Sequence, residues 1–162
     1  LILKNTEPFT PEQAYQYALR LLTGRDYSVA KIRQKLALRN VAEQDVDELI
    51  YRLQCEGWLD DRRFAARFAD TAISSGRYFG VRLRLEMRRR GFTADIVNEA
   101  VLPLLTESNE LSEVRSAAAR RSPGFSYSEA SDRDKRRMIG FLQRRGFGFS
   151  AIMRALQTES DS

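Results

Sequence analysis

Histidine is absent from the 162 residues, cysteine occurs once, and lysine occurs four times against 23 arginines. Without histidine the chain has no Ser/His or Cys/His nucleophile pair, no imidazole metal ligand and no ready general base near neutral pH. The lone thiol, Cys55, excludes an intramolecular disulfide and a thiolate cluster for zinc or an iron–sulfur centre. Beside Leu53 and Trp58 it is expected to be a small buried side chain. Long apolar runs are missing too: none approaches the roughly 20 residues of a membrane span. The start, Leu1-Ile2-Leu3, lacks the basic flank and cleavage site of a secretion signal, so the expected location is the cytoplasm. No glycine-rich loop ends in Gly-Lys-Ser/Thr, and Thr23-Gly24-Arg25-Asp26 reads as a turn. No cofactor and no small-molecule substrate are implied. At this length a compact fold buries roughly 70% of the surface of its unfolded chain, so no staple is needed.

Charge is present, and it is unevenly placed. Lysine and arginine outnumber aspartate and glutamate 27 to 22. Residues 1–60 carry 8 basic and 9 acidic groups, 61–105 carry 9 and 5, and 106–162 carry 10 and 8. Between Arg77 and Arg90 six arginines face one carboxylate, Glu86. A polyanion or an acidic protein surface is the partner such a segment suits; a solvated helix face is the plainer reading.

The chain also repeats itself. A shift of 51 residues aligns Ala14 with Ala65, Ala18 with Ala69, Ile32 with Leu83, Leu36 with Met87, Val41 with Phe92 and Ile50 with Val101. A further shift of 55 brings Leu83, Met87, Gly91, Phe92 and Val97 onto Met138, Leu142, Gly146, Phe147 and Ile152, and Arg-Arg-Gly-Phe stands at both 89–92 and 144–147. Such periods mark arrays in which each unit covers its neighbour's apolar face. Each unit reads as three helices. Thr10-Pro11-Glu12-Gln13 is a capping box with proline at the first helical position; helices near 11–23, 28–39 and 43–56 follow, then 61–75, 79–90 and 93–105, with Pro103 bending or ending the last. The third unit opens near Asn109, turns at 122–127, restarts at Ser131 with Asp134, and closes near 150–157, with a fraying tail from Thr158. Val81, Leu83, Leu85 and Met87 alternate with charged residues as a strand would; their repeat equivalents keep helical spacing, so a helix is expected. The fold class is all-α, an elongated array of three tandem three-helix, helix-turn-helix-like repeats spanning 11–59, 60–106 and 107–158.

Few residues carry chemistry. Asp60-Asp61 is the one carboxylate pair that invites a metal, but at the junction of two units an aspartate is a good helix N-cap, favoured also by the helix dipole. The second helix of each unit, if one face is exposed, lines up Lys31, Arg33, Lys35 and Arg39, then Arg82, Arg84, Arg88 and Arg89, then Arg133, Arg136, Arg137 and Arg144 as a basic stripe. Such a stripe can track phosphates or fork onto carboxylates. Tyr27, Tyr78, Phe79 and Tyr127 at the turns are either packing caps or base-stacking rings; Phe92 and Phe147 read as core.

Gly57-Trp58-Leu59-Asp60-Asp61-Arg62-Arg63-Phe64-Ala65 resembles the Gly-aromatic-Leu-Asp-Asp-x-x-Phe/Tyr-Ala segment of the RecX family of bacterial recombinase regulators. Arg25-Asp26-Tyr27-Ser28 leading to Lys35-Leu36, and the Arg82-to-Phe92 segment, carry the likeness further, over roughly 12–157. At Arg77-Tyr78-Phe79-Gly80-Val81 the proline common in the family's turn is missing. The resemblance implies a non-enzymatic modulator that lodges in the groove of the RecA filament on single-stranded DNA. Through it the family depresses ATPase, strand-exchange and co-protease activity, with some DNA binding of its own, to single strands or duplex. The residues expected to meet partner or DNA are Arg33, Lys35, Arg39, Arg82, Arg84, Arg88, Arg89, Arg136, Arg137, Arg144 and Arg145. The alternative is a direct DNA-binding protein of helix-turn-helix type with no recombinase partner; a metal-dependent nuclease is the remote third class.

Overall fold

The computed structural model describes residues 7–158; of the tail expected to fray from Thr158 onward, all but Thr158 lies outside them. Nine helices occur among the described residues: α1 (Pro11–Gly24), α2 (Val29–Ala37), α3 (Glu43–Cys55), α4 (Asp61–Ser74), α5 (Gly80–Arg89), α6 (Ala94–Val101), α7 (Glu107–Arg121), α8 (Asp132–Arg145) and α9 (Phe149–Gln157). Their starts follow the capping chemistry. Thr10 Oγ1 accepts from the Gln13 N–H while Gln13 Oε1 accepts from the Thr10 N–H, and Ser28, Asp60, Thr106 and Ser131 cap α2, α4, α7 and α8 in the same N3 fashion. These bonds satisfy amides that the first helical turn leaves unpaired.

Within each set of three the apolar stripe points inward. Ala14, Ala18, Ile32, Leu36, Val46, Ile50 and Leu53 form one core in the first set. The second and third sets share another, in which Leu83, Met87, Phe92, Met138, Leu142 and Phe147 meet. The alternating segment is helical: Leu83 and Met87 are fully buried, whereas Val81 is 80% exposed and Leu85 is 43% exposed. One helical turn separates the two buried side chains, and at about 100° per residue Val81 and Leu85, each two residues from Leu83, lie on the opposite side of the helix and face outward. Three expectations change. Helix α6 ends at Val101, and Leu104 and Leu105 both donate their N–H to the Val101 carbonyl in a turn around Pro103. Helix α7 starts at Glu107, two residues before Asn109, because Thr106 caps it. Cys55 is exposed, because it lies about 200° around α3 from buried Leu53, on the far side of the helix.

The sets are joined through their middle helices, end to end. Arg39, in the turn just after α2, Arg90, the C-cap of α5, and Arg145, the last residue of α8, are each followed by a residue in left-handed conformation: Asn40 (φ 54°), Gly91 (φ 92°) and Gly146 (φ 101°). Each of the three carbonyls accepts a hydrogen bond from a segment outside its own helix. The Phe9 N–H donates to Arg39 at 3.2 Å, the Ser28 hydroxyl donates to Arg90, and the Phe79 N–H donates to Arg145 at 2.7 Å. The N-terminus of α2 therefore sits on the C-terminus of α5, and that of α5 on the C-terminus of α8, with their dipoles head to tail. Glycine is required at both joints. A Cβ on Gly91 would lie 2.6 Å from Ala30 Cβ, and one on Gly146 would lie 2.1 Å from the Phe79 carbonyl oxygen. Asp61 completes the first joint: its carboxylate accepts from the Val29 N–H at 2.9 Å, so Asp60 caps its own helix and Asp61 caps its neighbour's. Arg67 pairs with Asp26 across the same joint at 2.6 Å.

Candidate polyanion-binding surface

The basic side chains of the middle helices differ sharply in what already holds them. In α2, Arg33 pairs with Asp47 at 2.6 Å. Lys35 sits 5.4 Å from the centroid of the Tyr27 ring, and Arg39 stacks on Phe9 and Tyr17 at 5.4 and 5.0 Å. In α5 every expected site residue has a partner. Glu86, only 14% exposed, bridges Arg82 at 2.9 Å and Arg89 at 3.0 Å; Arg84 donates to the Asn98 side chain at 2.6 Å, and Arg88 donates to the Phe92 carbonyl at 2.9 Å.

Helix α8 is different. Arg133, Arg136, Arg137 and Arg144 are exposed, and none makes an ion pair or side-chain hydrogen bond among the described residues. Arg133, Arg137 and Arg144 lie within about 40° of one another around the helix, and from first to last they span about 16 Å along it. With Arg121 of α7 they line a cleft of ≈1070 Å³ between α8 and the turn that precedes it. Met138, Phe125 and Phe141 supply apolar lining, Ser122 and Ser126 add hydroxyls, and Glu129 and Asp134 are the two carboxylates. Five guanidinium groups facing two carboxylates leave the cleft with an excess of positive charge, and guanidinium forks bind phosphate or carboxylate oxygens in pairs.

Arg145, by contrast, turns away to the joint. It donates to the Gly76 and Arg77 carbonyls at 3.4 and 3.3 Å and covers Phe141 at 4.9 Å. Of the expected residues the structure thus groups Arg136, Arg137 and Arg144, and places Arg145 at the joint between second and third sets. Arg121 enters the cleft from a different helix, and nothing in the repeat pattern marks it.

A second, smaller cleft of ≈420 Å³ opens on α2 and is lined by Arg25, Lys31, Lys35, Gln34, Leu38 and, across the joint, Arg90 and Phe64. Tyr27, which also lines it, carries Arg25 at 4.7 Å as well as Lys35. The other turn tyrosines are covered likewise: Arg82 lies 5.7 Å from Tyr78, and Lys135 lies 5.0 Å from Tyr127. Phe79 is 3% exposed and stacks on Phe147 with centroids 5.0 Å apart. These four rings serve as packing caps. Burial raises the Asp61 carboxyl above its ordinary value, against the lowering effect of the Val29 hydrogen bond. Both aspartates of the junction are occupied by helix N-termini, and no group of three or more His, Cys, Asp or Glu suited to a metal is found among the described residues. Nor is any helix there long and apolar enough to cross a membrane.

Three family profiles match in order: the first three-helix domain of RecX over residues 14–53, the second over 60–101 and the third over 113–156. The regulatory protein RecX of Trichlorobacter lovleyi is 39% identical over 137 residues, covering 85% of this chain and 89% of that one. The regulatory protein RecX of Thermus thermophilus is 34% identical over 143 residues, covering 88% and 89%. A crystal structure of RecX from Lactobacillus salivarius shares the fold with a TM-score of 0.74 at 22% identity, covering 91% of this chain and 95% of that one. With all three of its helix triplets matched in sequence order, the chain belongs to the RecX family of regulatory proteins.

Proposed function

We propose that this protein binds the RecA filament on single-stranded DNA and depresses its ATP hydrolysis, strand exchange and co-protease activity, without chemistry of its own. The observation that carries the reading is the head-to-tail row of middle helices α8, α5 and α2, each with basic side chains at its surface. A repeating scaffold suits a repeating partner, because several weak contacts held on one frame gain strength through effective concentration. The repeats are assigned to 11–59, 60–106 and 107–158, with the joints at Ser28–Arg90 and Phe79–Arg145 setting their spacing. Arg136, Arg137 and Arg144 are the foremost contact residues, because no internal partner competes for them. Arg33, Lys35, Arg39, Arg82, Arg84, Arg88 and Arg89 form the rest of the contact surface, and Arg145 acts through the joint.

The test is ATP hydrolysis by RecA on single-stranded DNA with the protein added below one molecule per protomer. Inhibition at such ratios is expected; no inhibition by folded, helical protein would overturn the reading. The unpaired arginines of α8 also favour a second reading, direct DNA binding without a recombinase partner. That protein would bind naked DNA with a steep salt dependence and leave RecA turnover untouched.

A further inference from the structure

The clefts on α2 and α8 occupy the same place in the repeat. The shifts of 51 and 55 residues carry Lys31, Gln34, Lys35 and Leu38 onto Arg82, Leu85, Glu86 and Arg89, and these onto Arg137, Gly140, Phe141 and Arg144. In the first and third units this face borders a cleft whose lining cations form no ion pair among the described residues. In the second unit Glu86 spans the two basic positions and pairs with both. We propose that this face is a contact point for the phosphodiester backbone of a single-stranded nucleic acid in the first and third units, and that Glu86 keeps the second unit's copy switched off.

This deepens the polyanion part of the proposed function and is independent of the recombinase. Two features select a phosphate backbone over bases or an acidic peptide. The turn tyrosines beside the face are each covered by a cation of their own unit, so none of those three rings is open to stack on a base. The two clefts are separated along the row by α5, whose ten residues span about 15 Å. A single strand carries a charge at every residue and can reach both, whereas a peptide needs a long acidic run to do so.

The experiment measures binding of fluorescent dT20 to the full chain across salt concentrations. Glu86→Gln frees Arg82 and Arg89 at nearly constant volume. Two recruited phosphates steepen the log–log salt slope by about 1.4, so the affinity ratio of variant to wild type grows about sevenfold between 200 and 50 mM salt. In the reciprocal change, Phe141→Glu sets a carboxylate between Arg137 and Arg144 as Glu86 stands between Arg82 and Arg89, and binding weakens relative to Phe141→Gln, which lacks only the charge. A 20-residue strand of abasic deoxyribose phosphate binds within about twofold of dT20, since only phosphates are read.

Unchanged or weaker binding by folded Glu86→Gln overturns the proposal, as does equal binding by Phe141→Glu and Phe141→Gln. Loss of binding on removing the bases assigns the face to base recognition, and tighter binding of a 20-residue polyglutamate assigns it to an acidic protein; either contradicts the proposal. Because the assay contains no RecA, its failure leaves the filament reading intact. Loss of filament inhibition with intact dT20 binding strikes that reading alone.

Discussion

Replacing Gly146 by alanine tests the end-to-end docking of the middle helices. The residue holds φ 101°, a conformation that costs an L side chain roughly 1–2 kcal/mol. The added Cβ would also stand 2.1 Å from the Phe79 oxygen and 2.8 Å from Arg82 Cβ, well inside the ~3.5–4 Å at which carbon atoms normally rest. The N-terminus of α5 must retreat. That retreat stretches the Phe79–Arg145 hydrogen bond, now 2.7 Å, whose net contribution is about 0.5–1.5 kcal/mol. It also loosens the Phe79–Phe147 stack, a pair whose geometry contributes about 0.5–1.5 kcal/mol beyond its burial.

The expected loss is therefore roughly 2–5 kcal/mol, and Tm falls by roughly 5–15 °C in a domain of this size. Gly57→Ala is the control. Gly57 also has positive φ, 78°, but a Cβ there meets nothing within 4 Å, so only the conformational part, about 1–2 kcal/mol, applies. Urea and thermal unfolding followed by circular dichroism measure both. Equal losses in the two variants would refute the tight joint, because strain alone would then account for Gly146.

Leu36→Ala, at a fully buried position, should cost roughly 2–5 kcal/mol in urea unfolding; a neutral result would mean the apolar stripe of α2 is misplaced. Arg88→Ala with Arg89→Ala should keep Tm close to wild type while weakening inhibition of RecA turnover, and undiminished inhibition would remove the α5 face from the contact surface. Asp61 gives a pH prediction. Its folded-state carboxyl titrates above its ordinary value, so the folded chain holds that proton where the unfolded chain has released it. Stability from this group is present below the unfolded value and is lost as pH rises through the raised one. Melting of Asp61→Asn against wild type across that range should show the wild type losing relative stability as pH increases; a relative gain would contradict the burial argument.

Much of the fold was legible because the repeat carries it. Ile32, Leu83 and Met138 hold one position in three copies, which settled α5 as a helix despite its alternating sequence. Thr10, Ser28, Asp60 and Ser131 announce helix starts through side-chain oxygens that reach only three residues, so local sequence suffices. The recurrence of Arg-Gly-Phe was visible, but not that its arginine carbonyl receives the next helix, since the donors Ser28 and Phe79 lie more than 60 residues away.

Availability of charge was harder to read. The spacing of Arg82, Glu86 and Arg89 was a local sign that Glu86 engages both arginines. The partners of Arg84 and Arg145 come from α6 and from the turn after α4, and Arg121 reaches the large cleft from α7. Only tertiary packing decides such pairings. It moves the weight of the candidate surface from the most basic stretch of sequence, at α5, to the least internally paired one, at α8.

The most direct test of this account compares wild type with Arg136→Gln, Arg137→Gln and Arg144→Gln combined, in RecA ATP hydrolysis on single-stranded DNA at matched salt. These side chains hold no internal partner, so Tm should stay within a few degrees of wild type. The account predicts that wild type inhibits at substoichiometric ratios and that the triple variant needs at least about tenfold more protein, as loss of three charged contacts implies. Equal inhibition by the two proteins would contradict the assignment of filament binding to the open arginines of α8.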